Sequence, residues 1–298
     1  MSLSWSLDPR LDLASGGIPS ADAERQTATA RAILERFETR PGVVLADEVG
    51  MGKTFVALAV ASSAALASDQ PSVVMVPPRL LDKWERDVFR FRSLCRKLPS
   101  GVLPESELRC RRAESGSGFL ARFDDPPARR AHIVLLVNTA LHRGERDPFV
   151  RLEAIRQALE RYDTGRTNAR TIARRAHDLL RHSALRGLEE NHIFELLKQP
   201  TSNWRERILS FGLECDDDPV PHAFQEALLN SDLGTLAAAL RDVPKRDSQS
   251  YGERIAAARK ELSASLHDVW SKTLKLSKIR SPLLIFDEAH HLKNPDTR

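Results

Sequence analysis

Val43-Val44-Leu45-Ala46-Asp47-Glu48-Val49-Gly50-Met51-Gly52-Lys53-Thr54 is the stretch on which the reading of this 298-residue chain turns. A short apolar run leads into a glycine-bearing turn, and Lys-Thr then opens a helix rich in Ala, Val and Leu from Phe55 to about Leu66. Glycines at 50 and 52 let the backbone curl so that successive N–H groups face an anion. Lys53 can then reach the β- and γ-phosphates of a nucleotide, and the Thr54 hydroxyl can hold Mg²⁺. The helix adds the positive end of its dipole to the same point. The strict pattern has glycine at position 47. Asp47 stands there instead, a residue that tolerates turn conformations by bonding its own backbone.

Outward from this stretch, three further short apolar runs recur: Ser72–Val76 before Pro77-Pro78, His132–Val137 before Asn138-Thr139, and Pro282–Phe286 before Asp287-Glu288-Ala289-His290. Together with Val43–Ala46 they read as four buried parallel strands, because both faces are apolar and a turn or polar cluster follows each. Helices are expected over Ala23–Phe37 and Leu80–Phe91, the latter with Leu81, Trp84, Val88 and Phe91 on one side. Pro99–Pro127, with its Gly116-Ser117-Gly118, reads as loop. Between the third and fourth runs the texture is helical: Phe149–Tyr162, Thr167–Leu188, His192–Gln199, Trp204–Leu213, His222–Leu229, Ser231–Leu240 and Tyr251–Leu276. The expected fold is therefore α/β, a parallel sheet flanked by helices and interrupted by a long all-α insertion. The domain reading is a lead-in over 1–18, the first part of the α/β lobe over 19–147, the insertion over 148–280 and the last strand with the chain end over 281–298. Trp204 and Trp270 read as packing anchors of the insertion.

Composition excludes several classes. No apolar stretch is long enough to span a bilayer, and the first ten residues hold neither a basic nor an apolar segment of a secretory signal. Cys95, Cys110 and Cys215 are scattered, without disulfide or metal spacing, so a reducing cytoplasm is expected. Net charge is only +4, but Arg79–Ala131 carries 13 Lys and Arg against 8 Asp and Glu, and Arg161–Arg186 carries 7 against 2. Such basic stretches suit either a phosphate backbone or a solvated helix face. Charge reversal at Arg170, Arg174 and Arg175 is expected to weaken DNA binding if the first holds.

Asp287-Glu288 at the end of an apolar strand complements the phosphate turn. One carboxylate can hold the metal and the next can orient and deprotonate a water. Asp47–Thr54 resembles the phosphate-loop motif of the Swi/Snf branch of superfamily 2 helicase-like ATPases. Asp287-Glu288-Ala289-His290-His291-Leu292-Lys293-Asn294 is similar to that branch's DEAH motif with its Lys-Asn extension. Val73–Asp87, a strand leading to Pro77-Pro78-Arg79-Leu80-Leu81 and Trp84, resembles its motif Ia, and Val137–Leu141 falls where motif Ib would.

The resemblance implies a RecA-like lobe, and roles for individual residues. Lys53 would neutralise phosphate charge, Thr54 and Asp287 would hold Mg²⁺, and Glu288 would activate water. Gln26 would read the adenine of ATP, and Asp47, Gly50, Met51 and Gly52 would line the phosphates. His290 would couple the nucleotide site to the nucleic-acid side. Pro78, Arg79, Trp84, Asn138 and Thr139 would lie near the DNA, duplex by the family's habit. The family also carries a third motif and a second RecA-like lobe with arginine fingers, so the chain is expected to be the N-terminal piece of a longer protein, inactive alone. An arginine finger can be worth ~10³–10⁵ in rate. Two other readings stay open: a nucleotide-binding interaction module whose insertion docks a partner protein, and a different P-loop ATPase that shares these motifs.

Overall fold

In the computed structural model, residues 5–16, 19–46, 51–94, 108–141, 144–162, 169–215 and 217–288 are described. Asp47–Gly50, His290 and the Lys293-Asn294 pair therefore lie outside the described residues. Two compact units are found: Met1–Ser115 with Arg122–His142 and Arg280–Arg298, and Gly116–Ala121 with Arg143–Ile279.

The first unit is built on a four-stranded, all-parallel sheet. Its strands are β1 (Ser72–Val76), β2 (Cys110–Ala113), β3 (Ile133–Val137) and β4 (Leu284–Phe286), in the order β2-β3-β1-β4. β1 pairs with β3 from Ser72 opposite Ile133 to Val76 opposite Val137, and with β4 from Val73 opposite Leu284 to Met75 opposite Phe286. Every residue of β3 is buried. Successive side chains point to opposite faces, so both faces of this central strand are covered, which is why it reads as an unbroken apolar run. Helices α1 (Ser20–Phe37), α2 (Lys53–Ser68) and α3 (Leu81–Leu94) flank the sheet. α2 buries Val56, Leu58, Val60, Ala61, Ala64 and Ala65, so it is apolar nearly all round, as a helix enclosed between other elements must be.

Two expectations fail in this unit. The run Val43–Ala46 is not a strand, and Val44 is 90% exposed. A strand needs a ladder partner for its backbone groups. Among the described residues no strand pairs with the outer edge of β4, where Leu284 and Phe286 are exposed too. Conversely, the region read as loop holds both β2 and a helix, α4 (Gly116–Asp124). β2 escapes hydrophobic patterning because it is an edge strand of sequence Cys-Arg-Arg-Ala. Its Arg112 is neutralised from α3, by Asp82 at 2.7 Å and by Glu85. Charges on a sheet edge also oppose pairing with foreign strands.

The sheet's other end carries a half-buried titrating group. His132, just before β3, accepts the Arg109 backbone N–H at Nδ1, 3.1 Å away. Burial, with Arg109 and Arg10 nearby and only Asp69 opposing, pushes its pKa down from 6.5 to about 4. The folded state thus takes up this proton less readily than the unfolded chain. Stability from this source is complete above pH 6.5 and is lost as pH falls from there towards 4. His132→Gln keeps an acceptor without the titration. Urea midpoints at pH 7 and pH 5 are expected to separate more in the wild type than in this variant, and equal separations would refute the assignment.

The second unit is all-α among its described residues, with α5 (Pro148–Tyr162), α6 (Ala169–Leu180), α7 (Glu190–Lys198), α8 (Trp204–Ser210), α9 (His222–Leu229), α10 (Gly234–Arg241) and α11 (Tyr251–Leu276). One apolar core, with Trp204 and Trp270 among its most deeply buried side chains, joins them. Gly116 is required by close approach: a Cβ there would stand 2.2 Å from the Trp270 ring. The buried Glu145 carboxylate accepts the Ser117 N–H at 2.7 Å and, through its other oxygen, those of Arg146 and Asp147. The amide end of α4 is thereby occupied by an internal anion, so Gly116-Ser117-Gly118 is a packed helix start rather than a flexible linker.

The same unit revises the reading of its arginines. Arg175 is buried, paired with Asp247 at 2.9 Å and stacked over the Tyr251 ring at 4.5 Å. Arg170 lies 3.9 Å over Phe194 and bonds Asn191, and Arg174 is 3.6 Å from Glu190. These three side chains staple α6 to α7 and α11, so charge reversal there would strike the unit's own packing. Among the described residues, no helix is long and apolar enough to cross a membrane.

Candidate functional site

All four strands run the same way, so their C-terminal ends share one edge of the sheet. Asn138 and Thr139 follow β3 there, Pro77–Arg79 follow β1, and Asp287 and Glu288 follow β4. α2 leads into β1 through a short turn, and the Ser72 hydroxyl donates to the Ala61 carbonyl oxygen at 2.8 Å. The helix therefore runs back along the sheet, with Lys53 and Thr54 towards that same edge. In open parallel sheets this edge is the usual ligand crevice.

The first group of residues surrounds the start of α2. Gly52 adopts φ +77°, a left-handed conformation that only glycine takes without strain, and its carbonyl accepts the N–H groups of Phe55 and Val56. The N-cap, Gly52, has no side chain with which to cap this helix, and the first turn carries no acidic residue. The leading amides of this 16-residue helix lack intrahelical acceptors, as at any helix start, and make its N-terminal end favourable for an anion. Lys53 and Thr54 are both half-buried. α1 braces the turn from behind: Arg25 donates to the Met51 carbonyl at 2.8 Å, and the Gln26 amide packs so close to Gly52 that a Cβ there would meet it at 2.2 Å. Gln26 is only 4% exposed, and its Oε1 has no hydrogen-bond partner among the described residues. A buried amide oxygen without a donor is costly in a finished structure, and a ligand donor would satisfy it.

The second group is the acidic end of β4. The Asp287 N–H donates to Met75 O at 2.9 Å, extending the ladder by one residue. Its Oδ2 accepts the Trp84 indole N–H at 2.7 Å, and its Oδ1 accepts the Glu288 N–H at 3.0 Å. Glu288 is half-buried with φ +56°, a conformation that costs a non-glycine residue about 1–3 kcal/mol and clusters at functional sites. Trp84, placed beside DNA by the resemblance, is 3% exposed and gives its only donor to this carboxylate.

The remaining residues are less engaged. Pro78 and Arg79 are exposed at the start of α3. The Asn138 N–H donates to Val76 O at 3.0 Å while its side-chain Oδ1 is buried without a partner among the described residues, and Thr139 is half-buried in the following turn. Asp47, Gly50 and His290 fall outside the described residues. The role of Arg25 escaped sequence reading, since an arginine on a helix surface carries no motif. The partner of Trp84 escaped it as well, because 203 residues separate the pair.

The groups present fit a magnesium nucleotide. The N-terminal amides of α2 and Lys53 suit phosphate, and the open Gln26 oxygen suits a donor such as a base amine. Thr54 and Asp287 are a sparse oxygen pair of the kind Mg²⁺ takes alongside water and phosphate. Among the described residues no group of three or more His, Cys, Asp or Glu forms a metal cage, so the sites that hold other divalent ions entirely by protein are absent from them. Set against known family models, curated proteins and solved structures, the chain matches none in any of the three comparisons.

Proposed function

We propose that the chain is the ATP-binding first motor lobe, of RecA-like fold, of an ATP-dependent DNA translocase or helicase. The observation that carries the nucleotide half is the left-handed glycine turn at the start of α2, a 16-residue helix with no acidic residue in its first turn. Gly52 at φ +77° turns the chain into Gly-Lys-Thr there, on the same sheet edge as Asp287 and Glu288. In this reading the α2 amides and Lys53 hold the β- and γ-phosphates, and Gln26 accepts from the base. Thr54 and Asp287 hold Mg²⁺, which would supply charge neutralisation at the phosphate oxygens. Glu288 orients the attacking water and accepts its proton, while charge developing on the phosphates is met by Lys53. His290 links this edge to the nucleic-acid side. The DNA half rests on the motif resemblance, with Pro78, Arg79, Asn138 and Thr139 at the strand ends where a phosphodiester backbone would run.

Lys53→Ala tests the nucleotide half. In a titration of the chain with a fluorescent ATP analogue and Mg²⁺, the variant is expected to bind about 10- to 150-fold more weakly, the range for a lost hydrogen bond to a charged group. Equal affinity would remove the phosphate-loop reading. For the DNA half, ATP hydrolysis by the full-length protein is expected to rise on addition of duplex DNA. Equal rates with and without DNA would leave an ATPase that does not act on nucleic acid.

A further inference from the structure

The Trp84 indole is tied to the acidic pair in a way that no packing requirement explains. α3 buries Leu81, Trp84, Val88 and Phe91 as an ordinary apolar stripe, which any large apolar residue at position 84 would serve. Among the large apolar residues only tryptophan carries a ring N–H, and here it stands 2.7 Å from Asp287 Oδ2. Asp287 is then held at three points, two of them on the carboxylate: its backbone N–H in the ladder to Met75 O, Oδ1 by the Glu288 N–H and Oδ2 by the indole. Each carboxylate oxygen accepts at two lone pairs, so one on each oxygen remains for another partner. Free rotation about the Asp287 side chain is lost, and the remaining lone pairs are aimed in fixed directions. Hydrogen bonds behind a metal-holding carboxylate commonly set its orientation in this way.

We propose that Trp84 is a positioning residue for the magnesium-holding carboxylate, acting through its indole N–H on Asp287. The role rests on the nucleotide reading above and adds a residue to that site. It also ties α3, which follows the exposed Pro78-Arg79 turn, directly to the acidic pair.

Two measurements on the chain test this. In ¹⁵N-labelled protein, the Trp84 indole N–H resonance, identified by its absence in Trp84→Phe, is expected to move on Asp287→Asn and on addition of Mg²⁺ with ADP. A resonance that ignores Asp287→Asn would overturn the contact itself. In parallel, a fluorescent nucleotide is titrated with and without Mg²⁺. Trp84→Phe is expected to weaken the dependence of binding on Mg²⁺ about 10- to 100-fold, the usual cost of losing a group behind a metal ligand. Its affinity for metal-free nucleotide should stay within about twofold, and Trp84→His, which retains a ring N–H, should recover part of the loss. Thermal melting of each variant separates this from a folding defect, which would weaken both titrations together. Nucleotide binding with unchanged Mg²⁺ dependence in Trp84→Phe overturns this proposal alone. Absence of nucleotide binding in the wild type overturns the nucleotide reading, and this role with it.

Discussion

Glu288→Gln is expected to lower ATP turnover by about 10²- to 10⁴-fold in the full-length protein while nucleotide binding survives, the range for removal of a general base. The substitution is nearly isosteric, and the backbone contact of residue 288 is made by its N–H to Asp287 Oδ1, which glutamine keeps. What is lost is the side chain's capacity to take a proton from water. The left-handed φ of +56° argues that the surrounding structure fixes this residue, since a relaxed chain would leave that conformation. Single-turnover hydrolysis, paired with a nucleotide titration, checks both halves. Turnover within about twofold of wild type would assign the water-activating role elsewhere.

Trp204→Ala carries the largest expected cost in stability, about 3–5 kcal/mol, the range for truncating a buried aromatic to alanine. Trp204 is fully buried at the start of α8, and its indole N–H donates to Leu196 O at 2.9 Å and Gln199 O at 3.1 Å. It therefore fills the core and satisfies carbonyls at the end of α7, where a helix has no partners of its own. Alanine would leave a cavity and take the indole donor from the Gln199 carbonyl, while the Leu196 carbonyl keeps the Gln199 N–H at 3.2 Å. Trp204→Phe, which retains most of the volume, isolates the second effect at about 1–3 kcal/mol. Urea unfolding followed by far-UV circular dichroism gives both numbers. A loss below about 1 kcal/mol for the alanine variant would mean that the core closes over the gap.

Much of the architecture was readable from local pattern. Ser72–Val76 and Ile133–Val137 stand as strands where continuous apolar runs end at Pro77 and Asn138, and α5, α9 and α11 lie within a residue or two of their apolar periodicity. These are cases in which burial on both faces, or on one helical stripe, imposes a pattern that needs no distant partner to be recognised. The misses share the opposite property. β2 is an edge strand whose arginines are tolerable only because Asp82 and Glu85 of another element neutralise them. Val43–Ala46 has the composition of a strand, but the described residues offer it no ladder partner, and composition cannot supply one.

By itself, then, the sequence determined the residue types of the candidate site: glycine where the backbone must turn left-handed at position 52, Lys-Thr at the helix start, and paired acids after an apolar run. Those requirements are local in the chain. Tertiary structure decided which partners these residues have. Gln26 comes to rest against Gly52, Trp84 reaches Asp287 across 203 positions, and Arg170, Arg174 and Arg175 are turned into staples of a helical core. A hydrogen bond or ion pair between distant residues depends on the path of everything between them, and no periodicity or spacing in the chain encodes that path.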